Sequence, residues 1–196
     1  MKQQLILASG SPRRIEMFQK RGFHPIIHPG DVEETLPPGI SPRDAVMFLA
    51  LKRGMYVEEK LAEKTGDFII ISADTVVFLD QILGKPKDEG EAFQMLKKMR
   101  GRTHQVATGV SIIGTAQKRK HVFCEVTQVE FKEYADQEIF DYIATGEPMD
   151  KAGAYGIQGG WRPYVKGYMG DYDNIVGFPW ARFEKEYRLR FGALSF

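Results

Sequence analysis

Apolar and polar stretches alternate along the chain in a pattern that predicts strands and helices in turn. A short apolar run at residues 5–8 predicts a buried strand. The run FIIISADTVVFL, residues 68–79, predicts a second buried strand that is interrupted at residues 72–75. Residues 105–114 and 122–131 have the pattern of a strand pair joined as a hairpin. Because predicted strands and helices alternate, the expected fold class is α/β.

Helix-start signals and helical spacing mark the other elements. Ser11-Pro12 and Ser41-Pro42 each place a serine at the N-cap and a proline at the first helical position. Gly22 is the predicted end of the first helix, and residues 23–28 predict a strand after it. The spacing of the second helix places Phe48 on its apolar face. Further helices are predicted over residues 89–99, over residues 136–145 with Phe140 on the apolar face, and from Trp180 to Phe191.

Composition narrows the classes of protein and partner. The chain has 196 residues, 43% of them hydrophobic, which suits one large domain or two lobes that share a core. Its net charge of +1 argues against nucleic acid or an anionic membrane as partner, so any anion site must be local. The single cysteine, Cys124, excludes an internal disulfide and a cysteine-rich zinc site. No apolar stretch reaches the roughly 18 residues of a membrane span, and a reducing cytoplasm is the expected location.

The first candidate site is the sequence LASGSPRR, residues 7–14, which follows the first predicted strand. A strand that ends in small residues and opens a helix presents backbone N–H groups and the positive end of the helix dipole. Ser9 and Ser11 add hydroxyl groups, and Arg13 and Arg14 add guanidinium groups that match phosphate oxygens. The stretch predicts an oligophosphate site, although it lacks the GxxxxGK[ST] loop. The alternative is an ordinary capped helix with two solvated arginines.

The second candidate is Asp74, which lies within the most hydrophobic stretch of the chain. A carboxylate there is unfavourable unless a metal ion, a cation or a water that it deprotonates compensates it. The position therefore predicts a catalytic or metal-binding carboxylate, with Thr75 beside it. The alternative is an aspartate that caps a neighbouring amide in a turn.

Charged residues elsewhere add candidates for phosphate and metal contacts. Lys85, in the tight turn LGKPKD, is a candidate phosphate ligand. Glu33 and Glu34 would offer carboxylate to a hard cation such as Mg²⁺, which takes few protein oxygens together with substrate phosphates. Lys52 and Arg53 lie on the second predicted helix. For the two glutamates and for Lys52 and Arg53 the alternative is a solvated surface charge.

The glycine-rich sequence DKAGAYGIQG, residues 150–159, is the candidate for nucleobase recognition. Its glycines permit a ligand to approach the backbone, and Gln158 has the acceptor and the two donors needed to contact a base edge. Asp150 and Lys151 predict a buried ion pair that holds the loop. The segment belongs to residues 146–176, which have little helical period and are long for a loop without a function. A glycine-rich hairpin turn is the alternative.

Taken in order, these segments resemble the Maf family of nucleoside triphosphate pyrophosphatases. The matching sequences are LILASGSPRR, SADTVV, LGKPKD, GRTHQVATGV, EPMDKAGAYGIQG and GDYDNIVGFP, which run from residue 5 to residue 179. The resemblance implies one domain over residues 1–196 with a fold like that of inosine triphosphate pyrophosphatases. This fold has an elongated mixed sheet, flanking helices and a deep cleft between two lobes. Dimers are common in the family, so a homodimer stays open.

The resemblance also implies a reaction and the residues that perform it. Maf proteins hydrolyse nucleoside triphosphates between the α- and β-phosphates with a divalent cation such as Mg²⁺, Mn²⁺ or Co²⁺. Asp74 matches the catalytic carboxylate that activates water, and Glu34 together with Asp74 matches the metal ligands. The positions that match substrate-binding residues are Ser9, Arg13, Arg14, Arg53, Thr75, Lys85 and Gln158.

Three positions that differ between subfamilies favour dTTP and UTP as substrates. These positions hold Arg13, Thr75 and Gln158, whereas the 7-methyl-GTP subfamily typically departs there and has tryptophan in place of Arg13. Two alternatives stay open: a 7-methyl-GTP pyrophosphatase, and a non-catalytic nucleotide-binding regulator of cell division.

The chain departs from the family pattern in the second helix. The family usually has LAxxKA there, and its lysine contacts the phosphates, whereas this chain has LALKRG. Arg53 aligns with that lysine, and Lys52 lies one residue earlier. Because a helix turns by about 100° per residue, the two side chains point in different directions. The sequence leaves open which of them contacts phosphate.

Overall fold

The computed structural model describes residues 3–193, and these have a mixed α/β architecture. The strands are β1 (Gln4–Leu7), β2 (Ile26–Ile27), β3 (Phe68–Leu79), β4 (Gln81–Leu83), β5 (Thr103–Gly114), β6 (Arg119–Phe131) and β7 (Val165–Met169). The helices are α1 (Pro12–Gln19), α2 (Pro42–Lys60), α3 (Glu89–Met99), α4 (Asp136–Ile143), α5 (Tyr172–Val176) and α6 (Trp180–Phe191). Short 3₁₀ turns lie at Glu147–Asp150, Ala152–Ala154 and Arg162–Tyr164. The predicted α/β class is confirmed.

The seven strands form one mixed sheet in the order β2-β1-β3-β5-β6-β7, with β4 paired to β3. Strand β1 runs parallel to both β2 and β3, so that Ile6 lies opposite Ile26 on one side and Ile70 on the other. Strands β4 and β7 are antiparallel to β3 and β6, respectively. The predicted neighbours β5 and β6 are adjacent in the sheet. A mixed sheet with helices is therefore confirmed, while the deep cleft and the single domain stay predictions.

The described residues divide into two compact units. The first unit comprises residues 3–74, 108–125 and 177–193, and the second comprises residues 75–107 and 126–176. Among residues 3–193, no helix has both the length and the apolar character needed to cross a membrane.

The core of the first unit holds α2 and α1 in place. One apolar cluster joins β1, β3, β5 and the end of α2; its buried members are Ile6, Ala8, Val57, Leu61, Phe68, Ile70 and Ile113. A second cluster is aromatic, because Phe18 of α1 packs edge-on against Phe178 and Trp180 at ring distances of 5.0 and 4.9 Å. Phe183 and Tyr187 of α6 are buried, as their spacing predicted. Both clusters fix the elements that begin or border the predicted phosphate site.

The core of the second unit is an aromatic group beneath the glycine-rich segment. Trp161 is fully buried and lies 4.8 Å from the rings of both Tyr134 and Tyr142. His104 Nε2 lies 2.8 Å from the Tyr155 hydroxyl, and burial lowers the pKa of His104 to about 3, so the ring is neutral at physiological pH. These contacts tie residues 155–161 to the sheet.

Strand β3 is continuous, so the predicted interruption at residues 72–75 is wrong. The polar residues there are satisfied from outside the strand: the Ser72 hydroxyl donates to the Ala50 carbonyl at 2.6 Å. Successive side chains of a strand point to opposite faces. Asp74 and Thr75 therefore lie on opposite faces of β3, and the expectation that Thr75 lies beside Asp74 is also wrong.

Several local predictions also differ from the structure. The predicted strand at residues 23–28 is only the two-residue β2, and Phe48 is exposed on α2. Phe140 is exposed too and stacks on Phe93 at 4.7 Å, while Tyr142 takes the buried position on α4. Short β4, β7 and α5 carried no periodic signal long enough to predict them.

Candidate active site

Asp74 lies at the point where β3 faces α2. Ser72 and Asp74 are two residues apart and therefore share this face of the strand. Gly54 allows the close approach, because a Cβ atom there would lie 2.9 Å from Ser72 Oγ and 3.0 Å from Ile113 Cδ1. The preceding residue of the helix, Arg53, consequently reaches the carboxylate.

Arg53 joins Asp74 to the loop that carries the acidic residues. Its Nε lies 3.4 Å from Asp74 Oδ1, and its Nη1 donates to the Gly30 carbonyl at 2.8 Å. Its Nη2 pairs with Glu34 Oε1. The side chains of Arg53 and Asp74 are 18% and 14% exposed, respectively, so their charges are only partly solvated. One guanidinium group thus holds two carboxylates and one carbonyl together.

Lys52 points elsewhere. Its Nζ donates to the carbonyl of Glu33 at 2.7 Å, and this contact ties the outer part of the acidic loop to α2. Of the two cations between which the sequence could not choose, Arg53 is the one that lies against Asp74.

Arg14 lies at the start of α1, and two hydrogen-bond acceptors fix the orientation of its side chain. Its Nε donates to the Gly177 carbonyl at 2.9 Å, and its Nη1 donates to Ser9 Oγ at 3.2 Å. Ser9 Oγ also accepts from the backbone N–H of Ser11 at 3.3 Å. Ser11 occupies the N-cap, as predicted, but its side chain forms no capping hydrogen bond. Ser9 therefore both supports the helix start and orients Arg14.

The charges of this cluster differ in exposure: the Asp74 and Arg53 side chains are mostly buried, whereas the Glu34 side chain is 59% exposed. Burial raises the pKa of Asp74, while the nearby charges of Arg14 and Arg53 oppose that rise and Glu34 adds to it. Burial also lowers the pKa of Arg14 to about 10, against the pull of Asp74 and with smaller contributions from Arg53 and Arg13. Arg14 remains protonated at neutral pH. The guanidinium groups of Arg14 and Arg53 thus both favour the ionised form of Asp74, and such groups also match the geometry of phosphate oxygens.

The residues fit a divalent cation that brings phosphate ligands with it. Among residues 3–193, no three His, Cys, Asp or Glu side chains are grouped closely enough to hold a metal ion unaided. Glu34 and Asp74 are nevertheless linked through the single guanidinium of Arg53, which shows that positive charge is favoured between them. Mg²⁺ commonly takes one or two carboxylates and completes its shell with water and substrate phosphates.

The second unit brings Lys85 and the glycine-rich segment together. Lys85 is exposed in the turn after β4, and the Gly84 carbonyl beside it accepts from the backbone N–H of Gly153 at 2.9 Å. Gln158 is exposed in a turn that follows this contact. The predicted ion pair of Asp150 and Lys151 forms, with 2.7 Å between Asp150 Oδ1 and Lys151 Nζ. Its predicted burial is wrong for Asp150, because the side chain of this residue is 60% exposed.

Two groups that hold candidate site residues in place were not identified from the sequence. The Gly177 carbonyl orients Arg14, and Glu147 lies against the turn that carries Gln158. A backbone carbonyl has no side-chain signature, although Gly177 has a φ of 122°, a conformation that favours glycine. Glu147 stands within EPMDKAGAYGIQG, where it looks like an ordinary surface acid.

Comparisons with known proteins agree with this chemistry. The family model described as "Maf-like protein" matches residues 4–188. A dTTP/UTP pyrophosphatase of Alkaliphilus oremlandii (strain OhILAs) is 47% identical over 176 residues, or 90% of each chain. A dTTP/UTP pyrophosphatase of Bacillus thuringiensis subsp. konkukian (strain 97-27) is 45% identical over 183 residues, or 93% of each chain. The solved structure of a nucleoside-triphosphatase (dITP/XTP pyrophosphatase) from Mycobacterium abscessus covers 65% of this chain and 74% of its own, at 12% identity. The two structures superpose with a TM-score of 0.39.

The fold is that of a mixed α/β protein, and the candidate site holds the partly buried carboxylate of Asp74 close to the guanidinium groups of Arg14 and Arg53. The chain belongs to the family of Maf-like proteins, because the family model matches nearly its whole length. The family resemblance carried by the sequence motifs is confirmed, and the relatives bear the name that the subfamily positions Arg13, Thr75 and Gln158 predicted.

Proposed function

We propose that this protein hydrolyses dTTP and UTP to the nucleoside monophosphate and pyrophosphate with the help of a divalent cation. The observation that carries the proposal is the buried carboxylate of Asp74, which lies among the guanidinium groups of Arg14 and Arg53. The names of relatives that are 45–47% identical over most of the chain support the choice of substrate. We also propose a cytoplasmic location.

The triphosphate would be bound mainly by cations and by the start of α1. Phosphoryl and nucleotidyl transfer require positioning and electrostatic stabilisation more than covalent help from the protein. Arg13 and Arg14 project from the first turn of α1, where the helix dipole also favours an anion. Lys85 would add a further phosphate contact. Ser9 would hold Arg14 in the orientation required.

Asp74 would orient the attacking water and accept its proton. Burial raises the pKa of Asp74, which makes it a stronger base than a solvated aspartate, and the neighbouring arginines oppose that rise. When bound, a divalent cation neutralises phosphate oxygens as a Lewis acid, and Glu34 and Asp74 are the residues that would hold it. Arg53 would hold Asp74 and Glu34 in place and is also a candidate phosphate contact.

Gln158 and Thr75 would recognise the pyrimidine. Gln158 is exposed at the surface of its turn and offers an acceptor and two donors, which match the edge of uracil or thymine. Because Thr75 lies on the opposite face of β3 from Asp74, its contact would be made apart from the catalytic carboxylate.

A substrate panel tests the proposed function. We expect the wild-type protein with Mg²⁺ or Mn²⁺ to have a kcat/KM for dTTP and UTP at least about tenfold above those for 7-methyl-GTP and dGTP, since a site that hydrogen-bonds one base edge discriminates against others. A higher kcat/KM for 7-methyl-GTP than for dTTP and UTP would contradict the proposed substrates and favour a 7-methyl-GTP pyrophosphatase. Tight binding of dTTP without turnover would favour a non-catalytic nucleotide-binding protein.

Replacing either of the neighbouring cations on α2 tests which one serves the site. We expect Arg53→Lys to lower kcat/KM for dTTP by about tenfold, because a single ammonium cannot contact Asp74, Glu34 and the Gly30 carbonyl together. Lys52→Ala is the control and should change kcat/KM by less than about twofold, since the Lys52 ammonium group bonds the Glu33 carbonyl and lies over the Phe48 ring, neither of which is a contact with Asp74. An effect of Lys52→Ala as large as that of Arg53→Lys would reverse the assignment.

A further inference from the structure

The turn that carries Gln158 has a defined backbone. The Gly159 N–H donates to the Gly156 carbonyl at 3.2 Å, which closes a four-residue turn with Ile157 and Gln158 at its centre. Ile157 is buried and Gln158 is exposed, so the turn anchors one side chain and presents the other. The direction of Gln158 therefore depends on how the two ends of the turn are held.

Both ends of this turn are held through Glu147. Its Oε2 accepts from the Gly160 N–H at 2.9 Å, and its Oε1 accepts from the Tyr142 hydroxyl at 2.9 Å. The Tyr142 hydroxyl oxygen in turn accepts from the Gly156 N–H at 3.1 Å. A continuous hydrogen-bond relay thus runs from Gly156 through Tyr142 and Glu147 to Gly160, and it brackets the turn. Networks of this kind fix geometry when every member is satisfied.

The glycines of the segment are required by this carboxylate. A Cβ atom on Gly159 would lie 1.8 Å from Glu147 Oε1, and one on Gly160 would lie 3.3 Å from Glu147 Oε2. A Cβ atom on Gly156 would lie 2.8 Å from Lys151 Cε and 3.1 Å from Glu147 Oε1. The sequence suggested that these glycines make room for a ligand. The structure shows that they also let Glu147 approach the backbone of the turn.

Glu147 and Tyr142 are themselves held in place. The Glu147 carbonyl accepts from Lys151 Nζ at 2.6 Å, and its N–H donates to Thr145 Oγ1 at 3.2 Å. Tyr142 is buried and packs on Trp161. Burial raises the pKa of Tyr142, so its hydroxyl retains the proton that it donates to Glu147. The relay is therefore a rigid support for the turn above it.

We propose that Glu147 is a positioning residue that sets nucleobase selectivity by fixing the Gly156–Gly159 turn, and hence Gln158, through its bonds to Tyr142 and Gly160. This inference rests on the proposed function, in which Gln158 contacts the pyrimidine. Glutamine at position 147 has one acceptor oxygen in place of two, so either the Tyr142 hydroxyl or the Gly160 N–H would face an amide donor. The turn would lose one of its two attachments.

The test compares Glu147→Gln with Gln158→Ala and with the double variant. We expect Glu147→Gln to raise KM for dTTP by about tenfold and to change kcat by less than about twofold, and to lower the preference for dTTP over dGTP. In the Gln158→Ala background the same substitution should have no further effect on that preference, because it acts through Gln158. Glu130→Gln, which breaks a surface pair with Lys166, is the matched control and should leave selectivity unchanged.

A readout without turnover separates this inference from the proposed function. Amide hydrogen exchange of a peptide covering residues 155–161 should be at least about tenfold faster in Glu147→Gln than in the wild type or in Glu130→Gln. Equal exchange in all three proteins would overturn the positioning role even if dTTP is hydrolysed. An equal loss of kcat/KM for every nucleotide, additive with Gln158→Ala, would also overturn it. If the wild type hydrolyses no nucleotide, the proposed function fails and the selectivity role fails with it.

Discussion

Asp74→Asn is expected to lower kcat for dTTP hydrolysis by about 10²–10⁴-fold, the range that a lost general base produces. Asparagine has nearly the same shape as aspartate, so the side chain still fits between β3 and α2. It accepts no proton from water and carries no charge to pair with Arg14, Arg53 or a divalent cation. The measurement is the steady-state release of pyrophosphate at saturating dTTP, with thermal unfolding of the same sample to verify that the variant is folded.

Asp80→Asn is the matched control for this substitution. Asp80 has a side chain that is 63% exposed and pairs with Arg102 at the surface, so its replacement should leave kcat within about twofold of the wild type. Turnover by a folded Asp74→Asn protein at the wild-type rate would remove Asp74 from the mechanism. A loss of the same size in Asp80→Asn would mean that the assay responds to general damage.

Arg14→Lys is expected to lower kcat/KM for dTTP by about 100-fold, which corresponds to about 2.7 kcal/mol of transition-state stabilisation. The arginine uses Nε and Nη1 to bind Gly177 and Ser9, which leaves the rest of its fork in a fixed direction. Lysine has a single, strongly hydrated ammonium group and cannot satisfy both acceptors and a phosphate in the same geometry. Because the positive charge is kept, the expected loss of kcat/KM measures the contribution of the fixed orientation of the Arg14 guanidinium group.

Arg188→Lys controls for the chemical change from guanidinium to ammonium. Arg188 lies on α6 with a side chain that is 67% exposed, and its partner Glu184 is 3.8 Å away. We expect no change in kcat/KM beyond about twofold. If Arg14→Lys behaves like Arg188→Lys, charge alone explains the contribution of Arg14, and the contacts with Ser9 and Gly177 have no catalytic importance.

The elements that were predictable are those whose signals are local. Ser41 caps α2 through the Asp44 N–H at 3.1 Å, as the Ser-Pro signature indicated. Helix α1 ends at Gln19, with Lys20 at its C-cap, and the predicted end, Gly22, follows two residues later with a φ of 79°. A break in β3 was predicted because a polar sequence normally ends a buried strand, but the strand continues through it. Its polar groups find partners on α2, which is distant in sequence, and no window of the sequence contains that information.

The candidate site was predictable in its residue types but not in its arrangement. Asp74 stood out because a carboxylate within an apolar stretch requires compensation, and Arg14 because a guanidinium group at a helix start matches phosphate oxygens. The choice between Lys52 and Arg53 depended on the rotation of α2 about its axis, at a point where the absence of a side chain at Gly54 leaves room for Ser72. Glu147 was missed because its partners are a tyrosine hydroxyl and a backbone N–H, and neither has a spacing that marks a site.

The identity of the products of dTTP tests the central claim most directly. Phosphorus NMR of a reaction containing dTTP, Mg²⁺ and the wild-type protein should give dTMP and pyrophosphate in equal amounts, and the same reaction with Asp74→Asn should leave dTTP intact. Formation of dTDP and orthophosphate would show cleavage of the terminal bond and would contradict the account. Unchanged dTTP with a folded wild-type protein that has bound its cation would contradict it as well.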